Sequence, residues 1–587
     1  MNTAAIYHRP DSEYAFLYKK GLMHLRIRTA RGDAIGVNLL HGDPYLMDKE
    51  KWNEKPDAMK LTLSTDLFDY WELETTEPFN RMAYAFQIIG RDGTEILYGD
   101  QGAFPFNDKS VHKGNNYFKM PYFHEVDRFK APDWVKKTVW YQIFPERFAN
   151  GDKTNDPQGT LPWGSKDPGR EDFFGGDLQG VIDHLDHLVD LGINGIYFCP
   201  IFKAHSNHKY DTIDYMEIDP SFGDKKLFKK LVEECHKRGI KVMLDAVFNH
   251  MGDNSPEWQD VIKNGKNSKY ADWFHINKFP VSYKEGKDFE DATDITYDVF
   301  ATTPHMPKLN TANPEAKKYL LSVIKYWIKD FDIDAWRLDV ANEIDHAFFK
   351  ELRRVCDETK KDFYIVGEVW HSSQSWLNGD EFSSVMNYAY TDLIKDFFIG
   401  HEMTIPKVVS EINNQLMLYR KQTNQIQFNV LDSHDTARIL TVAKDDKELE
   451  KQVLAFTYMQ PGVPCIYYGD EFGLNGGDDP DCRKCMIWDK KDQDLKLYDF
   501  FKNLVKFRKD NHQTMSEGSM DWDVSQADQG ILTLSRVVDG QTITGIFNTN
   551  QTKQVVKAAG ENLLSNLATI ENETVTLDPK GFVILSK

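Results

Sequence analysis

Three regimes of hydrophobic patterning follow one another along the chain. Over the first roughly 120 residues apolar and polar side chains alternate with period two, as in Leu25-Arg26-Ile27-Arg28 and Ala83-Tyr84-Ala85-Phe86, the mark of strands with one buried face. Turn sequences such as His41-Gly42-Asp43-Pro44 and Arg91-Asp92-Gly93 separate these runs, and no helical stretch of useful length interrupts them. An antiparallel β-sandwich over 1–122 is predicted. From about Thr138 strand-like runs alternate with amphipathic ones. The strand-like segments are 138–144, 195–202, 240–248, 333–340, 363–369, 383–388, 426–432 and 464–469. Between them lie segments such as 224–239, with Leu227, Phe228, Leu231, Val232 and Cys235 at helical spacing, and 314–331, with Pro314 just inside its start. This alternation predicts an α/β fold, a (β/α)8 TIM barrel over 123–505. The longest gap, from Phe248 to Ile333, exceeds one crossover helix. Its first part, with Trp258, Trp273, Phe274 and Phe279, predicts a small inserted domain over about 248–300. After about residue 505 the helical signals stop, and 530–534, 542–547 and 581–585 read as strands of a C-terminal β-sandwich domain over 506–587.

Composition narrows function by exclusion. Lys and Arg number 71 against 91 Asp and Glu, a formal charge of −20 in 587 residues. Such a chain is a poor general binder of nucleic acid or anionic membrane, since phosphate contacts need clustered cations. Mean hydropathy is −0.55, and no apolar run approaches the length of about 18 residues that spans a bilayer. The first ten residues lack a basic segment followed by an apolar one, so a cytoplasmic location is expected. Six cysteines in so long a chain make no disulfide framework. Cys482 and Cys485 form a C-x-x-C without a second pair, and read as two reduced thiols.

The residues with chemistry to offer gather at the C-terminal ends of the predicted strands, where a barrel keeps its reacting groups. The third strand ends Asp245-Ala246-Val247-Phe248-Asn249-His250 and the fourth carries Arg337-Leu338-Asp339. The fifth ends Gly367-Glu368-Val369-Trp370-His371 and the seventh Asp432-Ser433-His434-Asp435. Side chains alternate along a strand, so Arg337 and Asp339 point the same way, into the mouth. A lone strand-end aspartate serves equally as a helix cap or ion-pair partner. Three carboxylates at such ends, each beside Arg or His, suggest a common use. A carboxylate nucleophile needs a cation to stay ionised, and Arg337 offers one to Asp339. A second carboxyl, kept protonated in a dry site among other acids, serves as general acid. Two carboxyls across a scissile bond are the equipment of glycoside hydrolysis. The rival, a metal hydrolase using His250, His371 and His434, lacks a His-x-His pair at any strand end. A second cluster, Asn150-Gly151-Asp152-Lys153-Thr154-Asn155-Asp156 with Gly175 and Asp177 soon after, is dense in hard oxygen donors. It suits Ca²⁺ or a polar turn of Asx type, and spacing alone does not choose.

The runs DAVFNH, WRLDVANE, GEVWH and LDSHD resemble, in order and spacing, the four signature regions of the α-amylase family of retaining glycosidases. Met306-Pro307-Lys308-Leu309-Asn310 resembles the fifth region of its neopullulanase, cyclomaltodextrinase and maltogenic amylase subgroup. The runs 175–180 and 206–212 are similar to that subgroup as well. The likeness covers essentially the whole chain, including the leading β-domain, which resembles the family's N-terminal starch-binding-like module.

The resemblance implies Asp339 as nucleophile, Glu368 as general acid/base and Asp435 as a third acid that grips sugar hydroxyls. It implies His250 and His434 as hydroxyl binders, Arg337 as the holder of Asp339, and Tyr210 as a stacking platform. Asp479 and Arg483 would bind the next sugar. From the residues alone Tyr210 is also readable as core, and Asp479–Arg483 as a surface ion pair. His208 and His371 carry no implied role beyond structural hydrogen bonds. The resemblance favours a structural Ca²⁺ held by Asn150, Asp152, Asn155, Asp156, Gly175 and Asp177. It also implies a homodimer in which the leading domain walls off part of the partner's cleft, with Tyr45, Trp52 and Trp71 available to line the wall. His205 and Ala389 stand where relatives carry Pro, which bears on subsite preference. The expected activity is a retaining α-glucan hydrolase cleaving α-1,4 bonds, with some α-1,6 cleavage and transglycosylation, in cyclodextrins, short maltooligosaccharides and pullulan. One alternative is a non-catalytic carbohydrate-binding protein on the amylase fold, against which intact Asp339, Glu368 and Asp435 speak. The other is an oligo-1,6-glucosidase, against which the fifth region and the leading domain speak.

Overall fold

In the computed structural model, which describes residues 1–120, 122–287 and 291–587, the period-two runs of the leading segment pair into two antiparallel sheets. One has Leu22–Ala30 and Phe68–Thr76 at its centre; the other is built round Ala34–Gly42 and Met82–Gly90. Alternation sends Leu25, Ile27 and Trp71 from the first sheet, and Val37, Leu39, Tyr84 and Phe86 from the second, into one shared core. The first compact unit comprises residues 1–131 together with 401–424 and 524–528. It therefore takes in the helix Ile405–Met417, which lies within the span that the sequence gives to the barrel. That segment explains a feature alternation alone misreads. Arg26 should face water, yet it is 1 % exposed. Its Nε donates to Glu72 Oε1 at 2.7 Å and its Nη1 to the Met417 carbonyl at 3.0 Å. Against the pull of burial, Arg26 and His24 hold the Glu72 carboxyl well below its usual range. The candidate wall residues divide: Trp52 and Trp71 are buried, and Tyr45 is 80 % exposed. The two tryptophans are core, because Trp71 sits on the inward face of its strand and Trp52 packs edge-on against Tyr117.

The second unit holds residues 132–400, 425–523 and 529–587. Its eight parallel strands are β1 (Trp140–Ile143), β2 (Gly195–Phe198), β3 (Lys241–Ala246), β4 (Ala335–Leu338), β5 (Tyr364–Gly367), β6 (Ser384–Val385), β7 (Phe428–Asn429) and β8 (Val463–Tyr467). Seven fall inside the runs the sequence predicts, and β8 starts one residue before its run. Their order is β6-β5-β4-β3-β2-β1-β8-β7, and a parallel bridge between Met386 and Phe428 joins the ends into a barrel. The run 195–202 breaks after β2, and Phe202–Ala204 pairs instead with Thr212–Ile218 in a hairpin. The helix Pro314–Phe331 has the predicted bounds. Asn313 caps its start by accepting from the Glu315 and Ala316 N–H groups, and Asp332 in the left-handed region ends it. Its buried Trp327 packs against Phe228 and donates Nε1 to the Tyr215 carbonyl at 2.8 Å.

The excursion after β3 contains the helix Pro256–Asn264 and a small aromatic core in which Trp258 lies 4.8 Å from Phe274 and 4.6 Å from Tyr297. Bridges between His250 and Lys308, and between Phe274 and Leu309, tie this excursion back to the barrel. Residues 288–290 of it lie outside the described residues. Helix continues beyond where its sequence signal fades: Leu495–Asp510 runs past 505, and His512–Glu517 follows. The pattern is masked because the charged Arg508 faces inward, donating Nη1 to the carbonyls of Tyr458 and Gln460 at the end of another helix. The C-terminal segment is a six-stranded antiparallel sheet. Both ends of its long strand Thr574–Ser586 contribute to one core, through Val575, Leu577, Val583 and Leu585.

Candidate active site

Strand register places the floor of the site. Asp245 of β3 lies opposite Arg337 of β4, and Leu338 opposite Gly367 of β5. Asp245, Asp339 and Glu368 therefore converge on the Arg337 guanidinium, which has no exposed surface. Its Nη1 is 2.9 Å from both Asp245 oxygens and 2.6 Å from Asp339 Oδ1, and its Nη2 is 2.8 Å from Glu368 Oε2. One buried cation thus serves three carboxyls. Burial pushes Asp245 up to about 6 against the pull of Arg337. Burial likewise drives Asp339 well above its ordinary range; Arg337 opposes the rise, while Glu368, Asp245 and Asp435 add to it. Asp245 and Asp339 thus hold a proton more tightly than free carboxyls do. The short contact to Arg337 favours the ionised form at Asp339.

Glu368 is held from three sides. The Trp370 indole donates to its Oε1 at 3.0 Å and the Val340 N–H to its Oε2 at 2.9 Å, alongside Arg337. Trp370 is itself fixed by stacking on Tyr388, centroids 3.9 Å apart and rings 4° from parallel. Val340 has φ 44, a left-handed conformation that a β-branched residue adopts only under strain. That strained turn directly follows Asp339 and aims the donor at Glu368.

The opposite wall comes from the loops after β7 and β8. Asp435 lies 3.1 Å from His434 Nε2 and accepts from Arg483 Nη2 at 3.3 Å, and Arg483 pairs with Asp479 at 2.8 Å. Tyr210 and Tyr197 donate their hydroxyls to Asp245 Oδ2 at 3.0 and 2.9 Å. His250 stacks on Phe300, and burial lowers its imidazole to about 3. Burial, with Arg483 and Arg337 nearby, likewise keeps His434 neutral.

Asp339, Glu368, Asp435, Tyr210, His250, Asp479 and Arg483 line one cavity of about 1030 Å³. Arg337 and His434 lie beneath that lining, both fully buried. His208 also lines the cavity and His371 does not. Asp245, Tyr197 and Trp370 went unassigned from sequence. The signal for Asp245 was its place at a strand end; for Trp370, it was the two-residue spacing from Glu368.

The oxygen-rich loop after β1 is a separate structure. Asp177 caps the helix Leu178–Asp183 through the Gly180 N–H at 2.6 Å, and accepts from the N–H groups of Gly151 and Asp152 and from Asn155 Nδ2. Asn150 Nδ2 donates to Asp156 Oδ1 at 2.8 Å. The Oδ1 atoms of Asn150 and Asn155 are buried and accept from nothing. Gly175, at φ 83, lies so close to Asn150 and Asp156 that a Cβ would sit 2.3 Å from both. Among the described residues no three His, Cys, Asp or Glu group closely enough to hold a metal by those side chains alone. A cation here would rest on amide and backbone oxygens as well, which Ca²⁺ accepts.

Comparison with known proteins places the chain in a family. Residues 142–518 match the model of the α-amylase catalytic domain, and residues 1–124 that of the α-amylase N-terminal Ig-like domain. The chain is 47 % identical to the intracellular maltogenic amylase of Bacillus subtilis (strain 168), over 100 % of this chain and 99 % of that one. It is 46 % identical to the cyclomaltodextrinase of Geobacillus thermopakistaniensis, again over 100 % and 99 %. It is 40 % identical to neopullulanase 2 of Thermoactinomyces vulgaris over 94 % and 92 %. A solved cyclomaltodextrinase superposes with a TM-score of 0.91 at 44 % identity, covering all of both chains.

A general acid at Glu368 matters only where the leaving oxygen needs a proton. Glu368→Gln should therefore slow single-turnover cleavage of maltotriose by about 10²–10⁴-fold. An aryl glycoside with an acidic phenol should lose far less. Equal losses on both substrates would remove Glu368 from the role of acid.

Proposed function

Because the chain belongs to the α-amylase family of glycoside hydrolases, we propose that it cleaves α-1,4-glucosidic bonds with retention of configuration, acting on cyclodextrins, short maltooligosaccharides and pullulan. The observation that carries this reading is the shared guanidinium of Arg337, which sets Asp339 and Glu368 side by side at one cavity floor. Asp339 attacks the anomeric carbon while Glu368 protonates the leaving oxygen. Glu368, now a base, then activates water or a sugar hydroxyl to release the glucosyl unit from Asp339. Asp435 and Asp479–Arg483 offer charged partners to sugar hydroxyls, and Tyr210 a flat face. The substrate range draws support from relatives named cyclomaltodextrinase and neopullulanase.

Three further parts of the proposal concern setting. The enzyme works in the cytoplasm, in keeping with a relative named intracellular and with six free thiols. A structural Ca²⁺ sits in the 150–177 loop, where Asn150, Asp152, Asn155, Asp156, Gly175 and Asp177 would hold it. The two unpartnered amide oxygens there support this, and the ion would pin the loop without taking part in bond cleavage. The active form is a homodimer whose leading domains each wall off part of the partner's cleft. Tyr45 and Phe79, exposed with Arg81 4.9 and 5.1 Å from their ring centroids, supply an aromatic surface for that purpose. Such a wall selects by rejecting long polymers.

Product analysis on β-cyclodextrin, pullulan and soluble starch, side by side, tests the reading. A dimer in sedimentation with higher kcat/KM on β-cyclodextrin than on starch is expected; a monomer with the same preference would remove the wall. For the ion, a chelator should lower Tm, and Asp152→Ala should abolish that response. A calcium-free protein whose Tm ignores the chelator would leave the loop as a hydrogen-bonded turn.

A further inference from the structure

Gln142, in β1, is a polar residue with no exposed surface inside the barrel. Its side-chain nitrogen lies 2.7 Å from His434 Nδ1 and 3.3 Å from Cys199 Sγ, and its Oε1 has no partner. An amide kept in a core with an unmet oxygen is costly, which draws attention to what its nitrogen does. Across the imidazole, Nε2 faces two acceptors. One is the Asp435 carboxylate, 3.1 Å away. The other is the Tyr210 hydroxyl oxygen, whose own proton goes to Asp245 Oδ2 at 3.0 Å. A bare Nε2 would set its lone pair against both, so Nε2 carries the hydrogen. His434 is neutral, so Nδ1 is an acceptor in need of a donor, and Gln142 stands where that donor must be.

We propose that Gln142 is a positioning residue: by donating to Nδ1 it locks His434 in its Nε2–H form, and that N–H orders Asp435 and Tyr210 in the cleft. The inference rests on the reading of the cleft given above. It explains why an amide occupies a place in the barrel interior that an aliphatic side chain would fill without an unmet oxygen. It also extends the cleft's hydrogen-bond network one layer inward, from the lining, through His434, to the first strand. Gln142 touches no substrate and would act through His434 alone.

The test is a double-mutant cycle. Gln142→Met keeps the volume and removes the donor. It should lower kcat by about 10–100-fold, the effect carried by groups that orient metal-bound histidines, with KM changed less than about threefold. In a His434→Ala background the same substitution should cost less than about twofold. An equal factor in both backgrounds, beside an impaired His434→Ala enzyme, overturns the inference alone. A His434→Ala enzyme with wild-type kcat overturns it together with the reading of His434. Gln142→Glu, of the same shape, serves if the methionine variant does not fold. It offers Nδ1 an acceptor and stabilises the imidazolium, so its kcat–pH profile should gain an ionisation near neutrality that the wild type lacks. The charged and titratable groups facing this pair stay as they are: Asp435 beside it, Tyr210, His208 and Cys199 from the β2 side, Arg337 of β4, Glu368 after β5 and Arg483 after β8. A Gln142→Glu profile that superimposes on the wild type after scaling overturns the proposal.

Discussion

A single guanidinium, buried to zero exposure and paired with three carboxyls, is the constraint on which the site depends. Taking Arg337 out of water is tolerable only because Asp245, Asp339 and Glu368 surround it; removing one partner of such a buried pair typically costs about 3–5 kcal/mol. The same arrangement creates the chemistry. Burial pushes Asp245 and Asp339 upward, while Arg337 pulls both down. The barrel's part is to bring three adjacent strands into register so that the three carboxyls meet one cation.

Around this centre each group is fixed by something further out. Trp370 is stacked on Tyr388 before it reaches Glu368. Val340 takes a strained turn to present its N–H. Asp435 is gripped through His434 and Arg483, and His434 in turn through Gln142. Strain and buried polarity of this kind are tolerated where geometry must be held to within fractions of an ångström.

Much of this was legible in the sequence, for physical reasons. Strands buried on both faces show as short apolar runs, so each of the eight barrel strands falls on a predicted segment to within one residue, and the Pro314–Phe331 helix carries its own cap and start signals. The strand-end acids were visible because a barrel puts chemistry there. What stayed hidden depends on contacts between distant segments. Arg26 reads as a solvent-facing residue until the segment 401–424 covers it. Helix at 512–517 is masked because the neighbouring Arg508 spends its charge on buried carbonyls. Trp52 and Trp71 look available for a surface until the sandwich closes on them. Gln142 has no local pattern at all; only the fold brings it, from 292 positions away in sequence, against His434.

In the proposed mechanism Asp339, held by Arg337, forms the covalent bond to the sugar. Trapping tests it most directly: the enzyme is incubated with a fluorinated maltosyl fluoride whose release from the enzyme is slow, then digested and mapped by mass spectrometry. One added glycosyl unit is expected, on the peptide and the side chain of Asp339. A label on Glu368 or Asp435, or turnover with no label and an inverted anomer as product, would contradict it.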